Sequence, residues 1–292
     1  VIPRNFTLPV FILALFAGAM VLGPLLYFAL GFIWPIPFHR AMDRAILISA
    51  LLALAFLARR LSLEKLWPLN RDAWMQLLLG YFIAAVSIQA MLGFNLALGG
   101  FTRAHLSGGQ ALGRVLLALV PAILAPFFEE TIFRGFIQVE LVRHVGRACG
   151  LFLAAAIFML AHFIKAPVEL DAQPVHLWSG VTALGAAFLP VVNGDFLSGQ
   201  GINLFLIGLI LGGFFFRSGT LWLNAGLHSG WIFGVLLFTG FTRATKPPHV
   251  AGFGGDILSS LSTTLVLVLV ALWLWRFYRH PSDLLESGAT AP

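Results

Sequence analysis

The chain has 292 residues, of which 59% are hydrophobic and only 10% charged, and its mean hydropathy is +0.93. Soluble domains run near 45–50% apolar and about 25% charged, so this composition reads as an integral membrane protein and excludes a soluble enzyme, a disordered chain and a nucleic-acid binder. The net charge of +6 comes with no basic cluster that would track a phosphate backbone, and it suits loops that face anionic lipid.

A spanning helix needs about 20 largely apolar residues. Eight segments meet that pattern, at roughly 8–33, 42–58, 74–97, 112–141, 148–165, 200–217, 220–241 and 257–278. The expected fold is all-α, a polytopic integral membrane helical bundle of about eight transmembrane helices. It forms a single membrane domain over 1–292, with a catalytic core at about 109–241. The first segment has Arg4 before an apolar run too long for a signal peptide, and is expected to be a retained anchor. A further apolar stretch near 178–192 ends at Pro190, Asn193 and Gly194 and reads as interfacial or re-entrant. Sorting Lys and Arg by loop places ten on the side of the two termini, among them Arg4, Arg59, Arg60, Arg143, Arg147 and Arg279, and seven opposite. That bias favours cytoplasmic termini in a cell inner membrane. The single cysteine, Cys149, allows neither an intrachain disulfide nor a cysteine zinc cage.

Ionisable groups inside a membrane are costly and are usually functional. The informative ones are Glu129, Glu130, Arg134, His162 and His228, on three segments. Glu130 and Arg134 are four residues apart, share a helix face and can pair. Glu129 points about 100° away and keeps no such partner, so it can serve as a proton acceptor. The plain alternative is a structural ion-pair network of both glutamates with Arg134. The fourth and fifth segments turn near 143–149. Glu129 and His162 each lie about 25 Å along their helices from that turn, and His228 lies about 15 Å from its own turn at Ser218-Gly219. A glutamate and two histidines at compatible depth suit either a zinc site or metal-free hydrolysis, in which Glu129 and His162 activate a water and His228 faces the oxyanion. His-Glu-x-x-His and Gly-x-Ser-x-Gly are both absent.

Glu129-Glu130-x-x-x-Arg134, then Phe158-x-x-x-His162, then His228 in Leu227-His228-Ser229-Gly230-Trp231, resembles the CPBP family, the Rce1-type CAAX prenyl endopeptidases and their bacterial Abi relatives. The resemblance implies a glutamate-dependent intramembrane endopeptidase with no cofactor. Glu129 would be the catalytic glutamate and His162 its partner in activating water. Glu130 and Arg134 would be a supporting pair, and His228 the oxyanion-side histidine. Many members carry asparagine four residues after that histidine, where this chain has Ile232. Asn224, one turn before His228, is the candidate replacement. The implied partners are the lipid bilayer and a membrane protein or lipidated peptide as substrate, with no nucleic acid. Two other classes fit the composition. One is a non-catalytic immunity or chaperone-like membrane protein, favoured by Ile232. The other is a proton-coupled transporter with a Glu129–His162–His228 relay, which no inverted repeat supports.

Overall fold

The structure is a computed structural model that describes residues 7–33, 35–57, 63–245 and 256–277. Arg4, Trp34, Arg59, Arg60, Lys246, Arg279 and the tail from His280 lie outside the described residues. The elements in chain order are α1 (Thr7–Gly31), α2 (Phe38–Leu57), α3 (Leu63–Leu66), α4 (Arg71–Ala97), β1 (Phe101–Arg103) and α5 (Gly108–Glu130). A π-helical segment (Thr131–Gln138) leads into α6 (Val139–Val145), followed by α7 (Arg147–Ala161), a 3-10 turn (Val168–Ala172), α8 (Ser179–Ala187) and α9 (Leu189–Val192). The chain continues through α10 (Gly199–Ser218), α11 (Trp222–Phe241), β2 (Thr242–Ala244), a second 3-10 turn (Ile257–Ser259) and α12 (Leu261–Phe277).

The protein is thus a helical membrane protein, its described residues all helix and connections apart from one antiparallel ladder that pairs Thr102 with Arg243. Each of the eight expected segments contains a helix. Among the described residues, four helices are long and apolar enough to cross a bilayer: Thr7–Gly31, Arg71–Ala97, Gly108–Val145 and Gly199–Ser218. Helices α7 and α12 are shorter apolar helices, and the 178–192 stretch forms the short pair α8 and α9. Outward-facing Leu117, Val120, Ile123 and Leu124 on α5 are exposed, as a lipid-facing surface requires.

The chain divides into two compact units. The first comprises Val1–Ser62 and Met159–Leu197. Here α1 packs on α2 and α8 through small residues: Ala19, Ala41, Ala45 and Ala183 are fully buried. A Cβ at Gly180 would overlap the carbonyl of Met20, so α8 approaches α1 at backbone distance. Two carboxylates hold the segment after α7 against α2. Asp43 accepts from the Ala166 amide at 3.0 Å. Asp171 accepts from the His39 amide at 3.0 Å and lies 2.6 Å from its ring Nδ1. Partial burial pushes the Asp171 carboxyl up, but the hydrogen bonds and charge of His39 outweigh it, and the net position is below the usual carboxylate range.

The second unit comprises Leu63–Phe158 and Ser198–Pro292. Its centre is the α4–α11 contact, with α5 and α10 also against α11 and with α12 against α4 and α10. In lipid there is no hydrophobic force between helices, and close backbone approach through small residues replaces it. Gly80 faces the carbonyl of Leu223 and Gly226 faces that of Leu77, and at either position a Cβ would clash with backbone. Buried polar side chains add bonds between helices. Gln138 donates to Gly212 O at 3.0 Å, Asn95 to Ser262 Oγ at 2.6 Å, and Trp231 Nε1 to Ser87 Oγ at 3.0 Å. Helix ends follow local sequence. Asn70 caps α4 through the Ala73 amide, Ser107 and Gln110 form a capping box on α5, and α10 stops at left-handed Gly219, φ 67°.

Candidate active site

Glu129 and Glu130 are the last two residues of α5, and the backbone changes from α to π pitch immediately after them. Single π turns inside helices recur at functional sites because they re-aim side chains. Two features precede this change: Pro126 lies in the last turn of α5, and Thr131 Oγ1 donates back to Phe127 O at 2.6 Å while accepting from Trp67 Nε1 at 3.1 Å. Across from the glutamates, α11 carries Asn224 and His228, four residues apart and therefore on one face.

Glu130 is the hub. It is fully buried, and each of its oxygens is engaged. Oε1 accepts from Arg134 Nη1 at 3.1 Å and lies 2.8 Å from His228 Nδ1. Oε2 accepts from Asn224 Nδ2 at 3.3 Å. Arg134, 2% exposed, turns its guanidinium onto the face of Phe158, 4.3 Å from the ring centroid. The Phe158 ring also stands edge-on to His228 at 6.0 Å and to Phe133 at 5.1 Å. This gives the first residue of Phe158-x-x-x-His162 a contact that the sequence pattern alone did not reveal.

Glu129 differs from its neighbour in kind. Its side chain keeps 25% of its exposure, and Oε2 lies 3.7 Å from His228 Nε2 with no hydrogen-bond partner. The two ring nitrogens of His228 therefore face two carboxylates, one fully enclosed and one on a side chain that is a quarter exposed. Arg134 Nη2 and Asn224 Oδ1 are also buried without a hydrogen-bond partner.

Asn224 has partners that the sequence did not reveal, and the expected end of α7 is corrected. Asn224 was the candidate replacement for an oxyanion asparagine. Its amide nitrogen instead bonds Glu130 Oε2 and, at 2.7 Å, Leu211 O on α10. Both amide hydrogens are committed to protein acceptors. His162 was expected inside a helix extending to about 165, but α7 ends at Ala161. His162 stands in the following turn, half-buried, with its amide donating to Met159 O at 3.1 Å. It belongs to the first unit, whereas Glu129, Glu130, Arg134, Asn224 and His228 all belong to the second.

Residues 111–234 match the model of the Rce1-like family, described as type II CAAX prenyl endopeptidase Rce1-like. That stretch holds all six of these residues and Ile232, and the match bears out the resemblance carried by the three motifs. No curated protein and no solved structure gives a match to the chain.

Proposed function

We propose that the protein is an intramembrane endopeptidase that hydrolyses a peptide bond in a membrane-associated substrate, with a prenylated C-terminal CAAX-type segment as the first substrate class to test. The Rce1-like match supports a membrane protease in general. The observation that carries the mechanistic reading is the contrast between the adjacent glutamates. The Glu129 side chain keeps a quarter of its exposure and its buried Oε2 has no hydrogen-bond partner, while Glu130 is enclosed by Arg134, His228 and Asn224.

In the proposed reaction Glu129 takes a proton from water as the water oxygen attacks the scissile carbonyl carbon. The C–N bond then breaks, and the departing amine receives that proton from Glu129. His162 is assigned the second contact to the attacking water from its place in the Phe158-x-x-x-His162 motif. His228 is assigned the oxyanion side. We propose that the site works without metal. Both oxygens of Glu130 and Nδ1 of His228 are engaged with protein groups, which leaves only Glu129 and His228 Nε2 of this cluster as donors to an ion. Cytoplasmic termini in a cell inner membrane complete the proposal, on the basic-residue bias of the loops.

The test is cleavage by the purified full chain of prenylated and unprenylated peptides, with and without chelator. Turnover lost in Glu129→Gln and insensitive to chelator is the expected result. Zinc-dependent activity would overturn the metal-free mechanism. A second reading, a non-catalytic membrane protein of the same fold, is favoured by one observation. With Ile232 in place and the Asn224 amide committed elsewhere, no side-chain amide of these two positions is available to an oxyanion. Function retained in Glu129→Gln would select it.

A further inference from the structure

The carboxylate–imidazole contact on the enclosed side of His228 has a consequence for which nitrogen carries the proton. Glu130 pairs with Arg134 and accepts from Asn224, and an ionised carboxylate has no hydrogen to give. At 2.8 Å from Glu130 Oε1, His228 Nδ1 must supply the hydrogen of that bond. A neutral His228 then presents a lone pair at Nε2, toward Glu129, 3.7 Å away. It donates from Nε2 only as the imidazolium. Every other charged group of the described cluster is counted in this picture: Glu129 and Glu130 on α5 and Arg134 on the π-helical segment.

We infer that Glu130 is a positioning residue that fixes the tautomer and ring orientation of His228, and that Asn224 is a second positioning residue that holds Glu130 in that pose. Neither touches substrate, since both are fully buried. Asn224 joins three elements: it lies on α11 and bonds Glu130 on α5 and Leu211 on α10. A carboxylate behind an imidazole is the same device that orients the histidine of a Ser-His-Asp triad, where losing the charge selects the wrong tautomer and costs about 10⁴ in rate. Here it leaves the neutral ring of His228 with its lone pair at Nε2. An oxyanion-stabilising role for His228 then requires that the ring first take up a second proton at Nε2. The kinetic part of this inference rests on the endopeptidase reading, while the tautomer does not.

The experiment is nitrogen-15 NMR of the full chain labelled at histidine, in detergent micelles, with the His228 signals identified by their loss in His228→Gln. The wild-type protein should carry hydrogen on Nδ1 of His228 in every folded state across the pH range. Finding Nδ1 bare and Nε2 protonated in any folded state overturns the inference, and this measurement needs no variant that might misfold. Glu130→Gln and Asn224→Ala should each shift the population toward the Nε2–H tautomer. Unchanged His228 signals in a folded Glu130→Gln protein would also overturn it. On a cleaved peptide, Glu130→Gln should lower kcat by about 10²-fold or more with KM changed little. If the parent cleaves no peptide while Nδ1 carries the hydrogen, the endopeptidase reading fails and the positioning role stands.

Discussion

Removing Arg134 tests the electrostatics of the cluster without any knowledge of substrate. Arg134 is 2% exposed and meets Glu130 at 3.1 Å, and Glu130 is completely enclosed. Breaking a buried pair by deleting one partner costs about 3–5 kcal/mol, because an uncompensated charge stays behind. The cation–π contact with Phe158 adds to the loss, up to about 2 kcal/mol when desolvated. Glu130 still keeps the bonds from His228 and Asn224, which offset part of the penalty. We therefore expect Arg134→Met to lower stability by about 3 kcal/mol, on the order of a 10²-fold fall in the folded-to-unfolded ratio. Reversible unfolding in mixed micelles, followed by tryptophan fluorescence, measures it. The sign of a second measurement is more telling. Glu130→Gln combined with Arg134→Met carries no buried charge from the pair, so it should be more stable than Arg134→Met alone. A single variant within about 1 kcal/mol of the parent, or a double variant less stable than the single, would refute the picture of a desolvated pair.

The other predictions follow the same geometry. Glu129→Gln should abolish peptide cleavage and leave the unfolding transition unchanged. His162→Ala should do nearly the same, and the double variant should be little worse than either single, since groups that act as a unit are non-additive; additive losses would separate their roles. Ile232→Asn should raise the cleavage rate, because Asn224 supplies no free amide hydrogen to replace that donor; an unchanged rate would show that no oxyanion donor is missing. Gly226→Ala forces a Cβ onto the carbonyl of Leu77 and should destabilise the second unit by about 1–3 kcal/mol, whereas Gly93→Ala, with nothing near its Cβ, should be neutral in the same unfolding assay. The net lowering of the Asp171 carboxyl makes its contribution complete above the ordinary carboxylate value, and that contribution is lost as pH falls below about 4. Hydrogen exchange of the 166–172 amides should accelerate in that acid range in the parent and already be fast at neutral pH in Asp171→Asn.

The parts of this site that were legible in the sequence are those governed by helix pitch. Glu130 and Arg134 pair because four residues make just over one turn, and Asn224 and His228 share a face for the same reason. The helices themselves were legible because a backbone in lipid has to satisfy its own hydrogen bonds, so apolar length alone reveals them. What pitch does not encode is which helix a face meets. The contact of His228 with Glu130 joins residues 98 apart, and the commitment of Asn224 to Leu211 O depends on how α10 lies against α11. The π-helical segment was equally hidden. Residues 131–138 read as a continuous helical stretch, and the shift in pitch shows only in the backbone hydrogen bonds.

The adjacent glutamates show why two carboxylates in sequence are not two copies of one group. Both start from the same residue type and the same turn of α5. Successive positions on a helix diverge by about 100°, and that rotation alone sends one into the packed interior and leaves the other at its edge. Glu130 meets a guanidinium, an imidazole and an amide, and this full set of donors stabilises its charge while removing it from any encounter with water. Glu129 keeps a quarter of its side-chain surface, which a proton acceptor needs if it is to reach a substrate water, and turns a buried, unpartnered Oε2 toward His228. His228 stands between them with one nitrogen toward each. The enclosed carboxylate can therefore set the protonation of the ring that the part-exposed Glu129 faces. A substitution at Glu130 should then be felt at Glu129 through His228, although Glu130 itself never meets the substrate.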